Sequence, residues 1–83
     1  MNIKQNADFP IGKNIRDIRI SRGLGQQALL IEMQMRDVNI SSQRLGRIER
    51  GIIEGIYMVE LDAIREILDT SYDELLKKAE RQN

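Results

Sequence analysis

Ile40-Ser41-Ser42-Gln43-Arg44-Leu45-Gly46-Arg47-Ile48-Glu49-Arg50-Gly51 is the stretch on which the reading of this chain turns. Ser41 is a good N-cap, and Gly51 after the basic Arg50 is the usual stop signal, so the spacing predicts a short helix between them. Leu45 and Ile48 share one face of that helix, while Ser42, Gln43, Arg44, Arg47 and Arg50 occupy the other. An apolar back and a front of Arg, Gln and Ser suit a helix lying in a DNA major groove. Arginine pairs with guanine O6 and N7, and glutamine with adenine N6 and N7. A solvated amphipathic helix carries the same polar front, so this helix alone does not decide between the two.

Upstream, Gln26 to Met35 reads as a helix with Leu29, Leu30 and Met33 inward. Ile11, Ile15 and Ile18 recur at steps of four and three, and Gly23 closes that segment as a C-cap glycine does. Downstream, Ile52 to Tyr57 reads as a loop with a glycine break at Gly55. A fourth helix follows from about Met58 to Leu68 on Leu61, Ile64 and Leu68. Ser71-Tyr72-Asp73-Glu74 has the form of a capping box opening a fifth, with Tyr72, Leu75, Leu76 and Ala79 inward. No stretch shows sustained apolar/polar alternation. The expectation is a compact all-α domain of five short helices, a single domain over residues 1–83 with its core at about 9–79. Met1–Ala7 and Glu80–Asn83 are expected to be frayed.

Composition removes several classes of function. The 83 residues contain no cysteine and no histidine. That excludes disulfides, thiolate metal sites and every Ser-His-Asp or Cys-His arrangement, and no cofactor or metal is expected. Tryptophan is absent and the aromatics are Phe9, Tyr57 and Tyr72, which disfavours an aromatic platform for single strands. An apolar run such as Ala28-Leu29-Leu30-Ile31 falls far short of the roughly 20 residues of a membrane span. A soluble cytoplasmic protein is expected. Gly23-Leu24-Gly25-Gln26-Gln27-Ala28 matches a dinucleotide fingerprint, but that fingerprint works only between a strand and a helix of a βαβ unit. Charge is partitioned: Ile11–Gly51 holds 8 basic and 4 acidic residues, Ile52–Asn83 the reverse. A basic half of this kind hints at a polyanion.

The order of the pieces is more specific than any one of them. Ile11-Gly12-Lys13-Asn14-Ile15-Arg16-Asp17-Ile18-Arg19, followed by Arg22-Gly23-Leu24-Gly25-Gln26, resembles the opening of the Xre/Cro-type, lambda-repressor-like helix-turn-helix family. Ile40–Gly51 is similar to that family's recognition helix with its I-E-x-G ending, and Ser71–Leu76 to its S-x-D-E-L-L closing. The resemblance covers roughly Ile11 to Leu76. It implies a DNA-binding fold and, most often, a transcriptional repressor. Carried over by position, Gln26 would hold a phosphate, and Gln43 and Arg44 would face base edges. Ser42 would lie near the DNA backbone, Arg47 would reach either, and Arg19 fills the family's basic position on the first helix. Glu49 reads as structural. Gly25 in place of a Ser or Thr cap, Leu30 in place of a small residue, and Gly46 inside the recognition helix depart from the pattern.

The function expected is therefore sequence-specific binding of double-stranded DNA by a transcriptional regulator that is not an enzyme. The alternative is an antitoxin-like protein-interaction module on the same fold. One short recognition helix gives few base contacts, and helix-turn-helix proteins meet this with two-fold symmetry, their recognition helices about 34 Å apart. A weak homodimer through the C-terminal half is expected, with Ile52, Ile53, Ile56, Tyr57 and Met58 as an apolar contact surface, the alternative being a different protein partner at Ile52–Met58.

Overall fold

The computed structural model describes residues 1–80, and its core is assembled from one apolar stripe per element. In chain order the elements are β1 (Asn2–Lys4), α1 (Ile11–Ser21), α2 (Gln26–Gln34), α3 (Ser42–Glu49), β2 (Gly55–Tyr57), α4 (Met58–Ile67) and α5 (Tyr72–Leu75). Ile11 and Ile15 of α1, Leu29 and Met33 of α2, and Leu45 and Ile48 of α3 are fully buried. Ile56, Leu61, Ile64, Leu68 and Leu75 close the same cluster.

The helix ends follow the expected chemistry. Ser41 Oγ accepts the Arg44 N–H at 3.0 Å, and Ser71 Oγ accepts the Glu74 N–H at 3.1 Å. Gly23 and Gly51 adopt φ of 69° and 75°, the left-handed conformation that glycine takes without penalty. In the link from α2 to α3 that role falls to Asp37, at φ 60°. Its N–H reaches the Gln34 carbonyl and the next N–H reaches Met33, so α2 ends in a Schellman turn built without glycine.

Two expectations are corrected. The chain is not all-α: β1 pairs antiparallel with β2, Ile3 opposite Ile56. The first residues are accordingly not frayed. Gln5, just past β1, is buried and wedges between α1 and α3. Its Nε2 donates to the carbonyls of Ile48 at 3.0 Å and Ile53 at 2.6 Å, and its Oε1 accepts the Gly12 N–H at 2.7 Å. Gly12 is required here, because a Cβ at that position would run into the Ile48 carbonyl. The second correction concerns α5, a single turn rather than a helix reaching Ala79. Asn14 Nδ2 donates to the Leu75 and Lys77 carbonyls, and the Ala79 N–H turns to Asp8 O at 2.9 Å. The chain leaves the helix to dock on α1. Of the carboxyl-terminal segment expected to be frayed, the part beyond Glu80 lies outside the described residues.

Candidate nucleic-acid interface

α2, the turn at Asp37 and α3 form a helix-turn-helix, with α3 crossing close to α1 at Gly12. The basic residues around α3 divide into two groups according to whether a carboxylate holds them.

Arg19 and Arg44 are held. Arg19 Nε and Nη2 donate to the two oxygens of Glu49 at 2.8 and 2.9 Å, and its Nη1 donates to Leu24 O. Both side chains are buried, at 9% and 1% exposure. The Glu49 hydrogen bond holds the Arg19 pKa above its ordinary value against the pull of desolvation. Arg44 is bound the same way on the other flank of α3: Nε and Nη2 meet the two Glu60 oxygens at 2.7 Å each. Its guanidinium lies 5.3 Å from the centre of the Tyr57 ring, and the Glu60 hydrogen bond likewise raises its pKa. The position expected to face a base therefore turns to α4. Arg19, expected to serve the interface, ties α1 to the end of α3.

Arg16, Arg47 and Arg50 are exposed, and none of them has an ion pair or side-chain hydrogen bond among the described residues. Ser42 and Gln43 are exposed on the same helix as Arg47. Gln43 and Arg47 are four residues apart and so stand side by side on α3. Gln26 is half-buried at the start of α2, its Nε2 donating to Glu49 Oε1 at 2.9 Å. Glu49 thus fixes the Gln26 amide as well as Arg19, in keeping with the structural role read from the sequence. Arg16, Gln26, Gly46, Glu49 and Arg50 line one open cleft beside α3.

Of the residues that sequence reasoning assigned to DNA, Ser42, Gln43 and Arg47 are exposed together on α3, while Gln26 lies in the cleft with Arg16, Gly46, Glu49 and Arg50. That reasoning left Arg50 undecided and passed over Arg16. No sequence signal marks either, because their freedom depends on where the carboxylates fall in the fold, and three carboxylates of the basic half go to other residues. Asp17 takes Lys13, Glu32 takes Arg36, and Glu49 takes Arg19. Arg22 is also diverted, donating to the Leu68 and Asp69 carbonyls at the end of α4.

The expected apolar surface over Ile52–Met58 is split. Ile56 is in the core, Ile53 and Met58 are half-buried, and only Ile52 and Tyr57 are exposed. β-pairing accounts for the opposite fates of Ile56 and Tyr57, since it turns alternate side chains of β2 to opposite faces. Among the described residues no cluster of acidic side chains is placed to hold a metal ion, and no helix is long and apolar enough to cross a membrane.

A solved structure has the same architecture. The restriction-modification controller protein C.AhdI from Aeromonas hydrophila matches with a TM-score of 0.66 and 24% sequence identity, over 81% of this chain and 92% of that one. The two chains share a fold. No family model matches the chain, and no curated protein matches its sequence.

Proposed function

We propose that this protein is a transcriptional regulator that binds double-stranded DNA with α3 in the major groove. The observation that carries the proposal is the set of unpaired arginines, Arg16, Arg47 and Arg50, gathered with Gln26, Ser42 and Gln43 about the exposed side of α3. An arginine without a carboxylate, beside a helix whose other face is core, is available to phosphate or guanine. In this reading Gln43 and Arg47 meet base edges, Ser42 lies near the sugar-phosphate backbone, and Arg16 and Arg50 contact phosphates. Gln26 joins them with its remaining amide hydrogen. Gly25 puts no capping side chain over the first turn of α2, which leaves its N–H groups open to an anion.

The neighbour with the same fold is a restriction-modification controller protein. Carried to this chain, that supports a regulatory role; our own reading is that it is exercised as repression, by occupying a promoter. A homodimer on two half-sites follows from the small number of base contacts that one α3 offers.

The test is retention of mixed genomic duplexes at moderate salt with competitor present. The expected result is a shifted subset whose affinity falls with salt by about 0.9 log units per log unit for each phosphate contacted. The slope should be shallower in Arg16→Ala and Arg50→Ala. Equal retention of every duplex, or none, would defeat sequence-specific binding.

A further inference from the structure

We propose that Glu60, on α4 and outside the helix-turn-helix, is a positioning residue for DNA specificity: it holds Arg44 away from the reading face and so leaves Arg47 as the one arginine of α3 that reads a guanine. This rests on the DNA-binding reading above.

Arg44 follows Gln43 and precedes Arg47 by three residues, which makes it a surface neighbour of Arg47 on α3. By type and place it belongs to the reading set. It is withheld because a carboxylate is already in position to receive it. Glu60 Oε1 accepts the Tyr57 N–H at 2.9 Å, capping the first turn of α4. The Glu60 side chain is 5% exposed. Capping and burial fix the acceptor whether or not Arg44 is present. The arginine then meets both oxygens at 2.7 Å, lies against the Tyr57 ring, and places Nη2 3.4 Å from Gly55 O. Its side chain is still 26% exposed, so the guanidinium sits at the rim of the site, where release would return it to solvent beside Arg47. A second free arginine would add a second preferred guanine, since each bidentate Arg–guanine pair discriminates strongly between bases.

The experiment is selection of bound duplexes from a random library by the wild-type protein, by Glu60→Gln, and by Glu60→Gln combined with Arg44→Met. The amide keeps an oxygen for the Tyr57 N–H and loses the charge that holds Arg44. The expected result is that Glu60→Gln enriches an additional guanine by about 5-fold or more next to the wild-type motif, and that the double variant loses it. An unchanged motif in Glu60→Gln, or the same added guanine in the double variant, overturns the proposal. A wild-type protein that selects no motif defeats the DNA reading itself, which separates the two failures. A second measurement needs no variant at Glu60. The Arg44 Nε–H resonance of the wild-type protein should stay in place when the selected duplex is added. A shift of that resonance on binding, comparable to that of Arg47, would show Arg44 on the DNA and end the proposal.

Discussion

Arg19 and Arg47 lie on elements that touch each other and carry the same charge, yet stand in opposite surroundings. Arg19 is sunk against Glu49, with each of its three nitrogens hydrogen-bonded inside the protein. Arg47 is exposed, and its side chain has no ion pair or hydrogen bond among the described residues. The difference comes from the carboxylates. A buried acid captures whichever arginine the fold brings within reach, and the uncaptured ones are left for an external anion. Residue type alone therefore says little about which basic residue stays available to a ligand; the positions of Glu49 and Glu60 say more.

Removing a captured arginine should do the most damage. Arg19→Ala leaves the Glu49 carboxylate buried with only Gln26 as partner, and should lower stability by about 3–5 kcal/mol in a denaturant melt. If the loss is only a few tenths, the contrast between the two groups is wrong. Gly12→Ala should come next. A methyl group directed at the Ile48 carbonyl forces α1 and α3 apart, at a cost of about 3 kcal/mol, and the same melt reads it. Both variants act on the scaffold, so any loss of duplex binding should follow the folded fraction.

Arg47→Ala should show the reverse pattern. Its melt should lie within about 0.5 kcal/mol of the parent, while affinity for the selected duplex falls by about 1–3 kcal/mol in a titration. The smallest effect belongs to an exposed pair. Asp62 is held below the usual aspartate range first by the Tyr72 hydroxyl, at 2.7 Å, and then by Arg65. A lowered carboxyl pKa stabilises the fold fully above the unfolded value, about 3.9, and that contribution fades as pH falls through the lower folded value. Asp62→Asn should flatten this acid limb slightly in melts recorded below pH 4. No change in the limb would show that solvent screens the pair completely.

Much of the helical framework was legible because its signals are local. Ser41, Gly23, Gly51 and Ser71 each mark a helix end through bonds or backbone angles within a few residues. β1 was not legible: with Ile3 as its one apolar residue, it is too short to alternate. Nor was Gln5, a polar residue buried only because its partners arrive from Ile48 and Ile53. At the candidate site, the polar face of α3 could be read from periodicity. Which arginines stay free could not, because Arg19 meets Glu49 30 residues on and Arg44 meets Glu60 16 residues on, and no sequence window reports such distances. The end of α5 was missed for the same reason, since Asn14 of α1 takes its carbonyls.

The pairing of β1 with β2 also dictates an order of events. A ribosome makes Asn2–Lys4 well before their partner strand, and the Ile53 carbonyl that Gln5 needs also comes later, Gln5 and Ile53 being 48 apart. The helices close mainly local contacts and can form early, whereas a long-range pairing waits for its loop to close. β1 is thus older than the strand it pairs with and among the last elements to settle. A fusion partner placed there would be attached to the strand that must find its place after the rest of the domain has been built.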